Sequence, residues 1–371
     1  MPGITSDRSS PCGGSSASGV DVRLNIARQR LHTQRITGGG FATPGDAVQW
    51  FGAVQAQDYP GALWAVGLRT TRATHTIVEQ AIADRTIVRT WPLRGTMHFV
   101  APADIRWMLT FLAPRTIARA APRFKQLELD DRVLARGANL IVKALDGGRQ
   151  MSRPRIYALF ERAGIATAGN RGIHILWRLA HDGLICFGAH DGRQPTFALL
   201  EEWVPRARAL DRDEALAELA RRYFTSHGPA TLADFAWWSG LAAADARSAL
   251  EMARLHLRRT TVDGVTYWLA ASASGGNARS SRAVLLPPYD EYTVAYRDRS
   301  AALDPKHAVA ARNGIFSPTI LLDGRIVGTW TRAETANDVK ASTRLFGRLD
   351  ASSARALAGA VERYRAFKRP A

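Results

Sequence analysis

The sequence predicts an α+β, mostly helical fold: about three tandem winged helix-turn-helix units followed by a C-terminal α/β extension. Three observations predict it. The order helix, helix, helix, hairpin recurs at intervals of about 60–70 residues, a repeat of architecture rather than of identity. Asp-Gly pairs, which suit tight hairpin turns, close the hairpins of the second and third repeats. The composition is that of a globular chain, with 46% hydrophobic and 22% charged residues in 371, a length suited to two or three folding units.

Residues 1–19 read as a disordered tail, because Ser and Gly offer little to bury. VRLNIARQRL (22–31) has helical spacing. TPGDAVQWFGAV (43–54) carries start signals: Thr43 can cap, Pro44 suits the first helical position and Asp46 falls in the first turn. THTIVEQAIAD (74–84) is another helix, and IVRTWPLRGTMHFVA (87–101) alternates as a hairpin turning near Leu93–Gly95. These make a first unit over 20–128.

The second unit spans 129–210. Its helices are DDRVLARGANLIVKAL (130–145), SRPRIYALFERAG (152–164, capped by Ser152) and NRGIHILWRLAHDG (170–183). LICFGAHDGRQPTFALL (184–200) follows as strand, Asp191-Gly192 turn and strand. In the third unit, 211–271, RDEALAELARRYFTSHG (212–228), TLADFAWWSG (231–240) and AADARSALEMAR (243–254) precede a hairpin turning at Asp263-Gly264. Residues 272–371 form the extension: a Ser/Gly linker, RAVLLPPYDEYTVAYRDR (282–299), a hairpin in TILLDGRIVGTWTR (319–332) and a closing helix at 353–367.

The formal charge is +17, and only five of the 50 basic residues are Lys, at 125, 143, 306, 340 and 368. Such an excess creates a positive field that draws polyanions, nucleic acid first. A coding bias toward Arg explains the choice of base but not the excess over 33 acids. The longest apolar runs fall short of the roughly 20 residues a membrane helix needs, and the N-terminus lacks the apolar core of a signal peptide. A cytoplasmic, nucleoid-associated monomer acting on double-stranded DNA is the expectation. Cys12 in the tail and Cys186 in a strand make a poor disulfide pair, and neither CxxC nor HExxH occurs, so a structural zinc site is not expected.

A winged helix presents its third helix, and often its wing, to duplex DNA. In the second unit those positions carry Arg171, His174 and Arg178, with Arg193 in the wing. In the third they carry Arg247, with Arg258 and Arg259 at the strand start; Arg94 sits at the first hairpin's turn. The alternative for each is a solvated helix face. The tryptophans fall mostly at apolar positions, where core packing is the simplest account. His98 in TMHFV reads as a core histidine or a site residue. YDEY (289–292) places Asp290, Glu291 and Tyr292 together, either as an ion-pair network or as a site lining.

VQAQDYPGALWAVGLR (54–69) sets Gln55 and Gln57 one alanine apart, followed by Asp58 and Pro60. On a helix, residues i and i+2 point apart; on an extended segment they share a side. With the helix ending near Val54, because Pro60 disfavours helix at Tyr59, both amides are expected on one face, able to hold a water or read a base edge.

With RTWPLRGTMHFVAPADIRWML (89–109) and LLPPYDEYTVAYRDR (285–299) following in order, the chain resembles the AlkZ/YcaQ-like winged-helix DNA glycosylases over about residues 22–367. In the AlkZ-like branch the Q-x-Q tripeptide is the catalytic motif, whereas the other main branch has Q-x-D. The resemblance implies Gln55 and Gln57 as catalytic, with no metal or cofactor, and a monofunctional hydrolase that removes N7-alkylated guanine, including bulky adducts or interstrand crosslinks. Asp58, His98, Asp290, Glu291 and Tyr292 are the candidates for lining its site. A cationic base leaves readily, so two neutral amides that position water suffice. The alternatives are a non-catalytic winged-helix DNA-binding protein, as a regulator or lesion shield, and a protein–protein scaffold.

Overall fold

The computed structural model describes residues 19–192, 194–273, 282–312, 315–334 and 339–369. The first stretch runs α1 (Gly19–Thr33), α2 (Pro44–Phe51), β1 (Ala53–Gln55), α3 (Tyr59–Leu68), α4 (His75–Ala83), β2 (Val88–Leu93) and β3 (Thr96–Val100). Thr43 caps α2 by accepting from the Asp46 N–H, as expected. The helix stops at Phe51, three residues before the expected end, because Gly52 takes φ +77 and its N–H closes the last turn. Pro60 does not keep Tyr59 out of a helix. It occupies the first turn of α3, where its missing N–H costs nothing, and Asp58 takes the N-cap position.

A long helix, α5 (Ile105–Gln126), crosses to the second stretch despite Pro114 and Pro122 in its interior. There follow α6 (Asp131–Leu145), β4 (Met151–Ser152), α7 (Arg153–Arg162), α8 (Arg171–His181), β5 (Ile185–Asp191), β6 (Gln194–Leu199) and the short α9 (Leu200–Trp203). Ser152 stands at the N-cap of α7 but makes no capping bond; it belongs to β4, opposite Thr196. The third stretch holds α10 (Arg212–His227), α11 (Leu232–Ser239), α12 (Ala243–Ala253), β7 (Leu257–Val262) and β8 (Val265–Ala270). Capping boxes start α10, from Asp211 and Glu214, and α11, from Thr231 and Asp234. Helix, short strand, helix, helix and hairpin thus recur three times. In the third instance the short strand is reduced to one bridge, Ala230 to Trp268.

The chain ends with β9 (Ala283–Leu286), the one-turn α13 (Glu291–Val294), β10 (Thr319–Leu322), β11 (Arg325–Glu334), β12 (Val339–Leu345) and α14 (Ala351–Lys368). These strands form an antiparallel sheet in the order β12-β11-β10-β9. The first two hairpins merge into one sheet, β1-β3-β2-β5-β6-β4, joined where Arg89 pairs with Phe187.

The first stretch shares its apolar core with both distant parts. Val48, Phe51, Leu63 and Trp64 pack with Leu285, Trp330, Tyr364 and Phe367 of the C-terminal sheet and helix. Val88, Leu93 and Val100 of its hairpin pack with Trp107 and Met108 of α5 and with Leu216, Tyr223 and Trp238 of the third stretch. Burying side chains of this size contributes about 1.5–3 kcal/mol each. Asp104 adds a polar tie there, accepting from Trp107 Nε1 at 3.0 Å, Arg208 at 2.5 Å and Arg222. Among the described residues no helix is long and apolar enough to cross a membrane.

Candidate active site

Strand β1 is three residues long, and its last residue is Gln55, opposite His98 on β3. Pairing continues one step further, through the Ala56 N–H to the Met97 carbonyl at 2.7 Å. The chain then bends. Gln55 is buried at 6% exposure, whereas Gln57 is exposed. The two amides therefore do not share one open face, contrary to the expectation from an extended tripeptide. They are linked instead: Gln55 Oε1 accepts from the Gln57 N–H at 2.9 Å, and Gln57 Oε1 lies 3.4 Å from the Met97 N–H. Arg89 braces the bend from below. It is clasped between the Tyr59 and Phe187 rings and donates to the Ala56 carbonyl at 2.8 Å. Burial pulls its pKa down to about 10, so it still carries its charge at neutral pH.

Behind Gln55 lies Glu291, the first residue of α13, at 1% exposure. Its Oε1 accepts from the Gln55 N–H at 2.8 Å. Its Oε2 accepts from Trp238 Nε1 at 3.1 Å and faces His227 Nε2 at 3.2 Å. Burial alone would raise the Glu291 pKa, but the His227 bond and charge, the nearby His98 and the Gln55 N–H together hold it below the usual carboxylate range. Burial likewise pulls His227 below its ordinary value, against the opposing pull of Glu291. The bond between His227 Nε2 and Glu291 Oε2 joins the imidazole to a carboxyl group held below its usual range. His98 is also fully buried and pushed down to about 4 by burial, with Arg94 adding to the effect. Its Nδ1 meets the Thr96 carbonyl at 2.9 Å, while its Nε2 has no partner among the described residues. Gln55, His98 and Glu291 therefore come together, with His227 and Trp238, where the first, third and C-terminal parts of the chain meet.

The other acids take structural places. Asp290 grips Arg69 through both oxygens, at 2.7 and 2.8 Å, and caps α13 at the Tyr292 N–H. Tyr292 turns the other way, its hydroxyl reaching the Ala27 and Gly324 carbonyls. Asp58 is half-buried and pairs with Arg332 on β11 at 3.2 Å.

Two clefts run along α5 and share Arg94, Thr116 and Arg119. One, of about 400 Å³, is also lined by Arg115 and Arg212; the other, of about 360 Å³, by His174 and Trp177. Arg115 and Arg119 carry no acidic partner among the described residues. The basic candidates on the helix faces differ from one another. Arg171 is spent on the carbonyls of Ala166, Leu127 and Glu128, Arg178 pairs with Asp182 at 2.9 Å, and Arg258 donates to the Ala273 carbonyl. His174 meets the Asn170 carbonyl at 2.8 Å. Arg247 and Arg259 are exposed. Arg193 lies outside the described residues. Among the described residues no group of acidic, His or Cys side chains is arranged to hold a metal.

A family model described as DNA glycosylase AlkZ-like matches residues 48–367. The chain belongs to the AlkZ-like DNA glycosylase family. Membership makes it a hydrolase of DNA repair. One relative, the interstrand DNA cross-link repair glycosylase of Streptomyces sahachiroi, is 25% identical over 312 residues, covering 77% of this chain and 81% of its own. The solved structure of the Streptomyces sahachiroi DNA glycosylase AlkZ superposes with a TM-score of 0.73 at 21% identity, over 93% of this chain and 97% of that one. That likeness establishes the shared fold. The candidate site then has two neighbours that linear reading passed over. His227 stands among scattered histidines and Trp238 among core tryptophans, and only the packing of the third stretch and α13 against the first brings them to Glu291.

Proposed function

We propose that this AlkZ-like chain hydrolyses the N-glycosidic bond of N7-alkylated guanine, and that it accepts bulky adducts and interstrand crosslinks of the kind named for its Streptomyces relative. The observation that carries the reading is the Gln57 amide, exposed at the end of a strand whose backbone is fixed by an ionised, buried Glu291. In this reading the three repeats are winged helices in the units 20–128, 129–210 and 211–271, with 272–371 as the extension. Duplex DNA, bound by a monomer, lies along the clefts of α5, with Arg94, Arg247 and Arg259 among its contacts.

N7 alkylation places a positive charge on the purine. When the bond from C1′ to the base breaks, its electron pair goes to the base, which leaves neutral, and the sugar becomes an oxocarbenium ion. A water held by Gln57 adds to C1′ and releases its proton to solvent. Gln55 fixes the Gln57 backbone through its own Oε1 and needs no exposure for that role. Neutral amides give little help to a bond that must be forced open, so unmodified guanine is left alone. The reaction is monofunctional, because no amine takes part.

The test is alkali-revealed abasic sites on a duplex with a single N7-methylguanine, against the same duplex with guanine. Release from the methylated duplex alone, lost in Gln57→Ala, is expected. Equal release by the wild type and the Gln55→Ala/Gln57→Ala variant removes the assignment.

A further inference from the structure

The β2–β3 pairing leaves a two-residue loop, Arg94-Gly95, between Leu93 and Thr96, with φ +53 and +73. A turn of this hand favours Asn or Asp before Gly, since other L side chains meet steric resistance there. The chain nevertheless places an arginine, at a tip held in a fixed position: Trp177 Nε1 donates to the Gly95 carbonyl at 3.3 Å. The Arg94 side chain runs across Gly240, the residue that ends α11, where an added Cβ would stand 2.9 Å from Arg94 Cγ. Its Nη1 then donates to the Trp237 carbonyl at 3.2 Å.

A second guanidinium reaches the same tryptophan. Arg299 lies 5.6 Å from the Trp237 ring centre, its Nε donates to the Thr293 carbonyl at 2.9 Å, and its buried Nη2 has no partner among the described residues. The carboxylates whose fields reach these arginines are engaged elsewhere. Asp234 accepts from the Thr231, Arg297 and Asp298 N–H groups, Asp298 from Ser300, and Glu291 from Gln55 and Trp238. Burial lowers the Arg299 pKa and Arg94 adds to the effect, against the opposing pull of Asp234 and Asp298. Trp237 itself is 43% exposed, its ring fixed by Nε1 donating to the Val294 carbonyl at 3.0 Å. Its neighbour Trp238 touches Glu291, so this patch adjoins the candidate site.

We infer that Arg94 and Arg299 clamp one backbone phosphate of the DNA strand, with the Trp237 indole as a stacking face for an adjacent base; the inference rests on the reading of the chain as a DNA-binding glycosylase. Arginine forks suit phosphate oxygens, and a flat, sequence-tolerant ring suits any base.

The experiment uses the full chain and labelled duplexes with one tetrahydrofuran abasic analogue, which cannot be cleaved at a glycosidic bond. One phosphate at a time around the analogue is replaced by a neutral methylphosphonate. One position is expected to weaken wild-type binding about tenfold, well beyond its neighbours. In Arg94→Gln/Arg299→Gln that position costs nothing further, while the others cost what they did before, and the slope of log K against log salt falls by about 0.9. Trp237→Leu is expected to weaken binding roughly tenfold with an unchanged salt slope. An unchanged affinity there removes the indole from the proposal. A flat methylphosphonate scan in the wild type, or absence of duplex binding, overturns the clamp without any variant having to fold. Excision of N7-methylguanine is scored separately: excision with a flat scan sinks the clamp alone, and a peaked scan without excision sinks the proposed reaction alone.

Discussion

The first and second repeats place the same elements in the same order, yet they spend their glutamines differently. In the second, Gln150 precedes the short strand β4 and turns onto its own hairpin, where its Oε1 accepts from the Ala189 N–H at 2.8 Å and from Thr196 Oγ1 at 2.9 Å. In the first, Gln55 ends the short strand β1 with its N–H on a carboxylate from a remote part of the chain, and Gln57 lies exposed at the sheet's edge. One amide staples a hairpin; of the other pair, Gln57 is exposed and Gln55 is buried behind it. The difference teaches that the repeated scaffold carries no chemistry by itself. What counts is what lies behind the short strand: a closed apolar core in the second repeat, and the Glu291, His227 and His98 cluster in the first.

The sharpest way to break this comparison is to remove the amides in turn. Gln55→Ala/Gln57→Ala is expected to lower single-turnover excision of N7-methylguanine by at least about 100-fold. Gln150→Ala leaves the rate unchanged and costs about 0.5–1.5 kcal/mol in urea unfolding, because it removes the bonds to the half-exposed Ala189 N–H and to Thr196. Equal losses of excision in the two variants erase the distinction. Next in size is the neighbour of Glu291. Asp290→Ala strands a buried Arg69 and is expected to destabilise the fold by about 3–5 kcal/mol in the same unfolding measurement. A loss below about 1 kcal/mol contradicts the structural place given to Asp290.

The pH dependence sharpens the comparison further, because each repeat buries one histidine near its hairpin. His98 and His181 are each pushed down to about 4 by burial. Each binds fewer protons folded than unfolded, where a histidine titrates near about 6.5. The stability gained by keeping them neutral is therefore complete above about pH 6.5 and lost as the pH falls toward 4. For His98, which has no exposed surface, this amounts to on the order of 3 kcal/mol. Replacing His98 by Asn should flatten the melting temperature against pH across that window, and adding His181→Asn should flatten it more. A profile parallel to the wild type would contradict the neutral, buried state. The smallest effect belongs to the third repeat, where Arg259→Gln is expected to reduce the salt slope of duplex binding by about 0.9 with little change in excision.

Much of the frame was legible because its signals are local. Thr43 and Pro44 announce a helix start, the Asp-Gly pairs at 191 and 263 fall at hairpin turns, and the alternation over 87–101 gives a hairpin turning where expected. The same local rules misplaced the end of α2, since Gly52 sits inside a continuing apolar pattern and its stop depends on a left-handed backbone. They are silent on α5, whose two interior prolines are outweighed by tertiary packing. The site was legible only in part. Gln55, Gln57 and Glu291 stand in recognisable stretches, but the bond from His227 to Glu291 spans 64 residues and that from Trp238 spans 53. No spacing rule reaches that far. The sharing of roles between Asp290 and Glu291 was equally out of reach, because adjacent carboxylates are told apart only by which cation or amide each meets.

The single register pair that joins the first two hairpins, Arg89 with Phe187, has a mechanical consequence. Arg89 also holds the Ala56 carbonyl, so the backbone between the two glutamines is bolted to the same plate as the second hairpin. The distance from that hairpin to Gln57 works as a fixed gauge. On the proposed reading of the chain, a helix of DNA seated against both would do its own bending to bring a damaged sugar within reach, which would favour duplexes already slackened by the lesion.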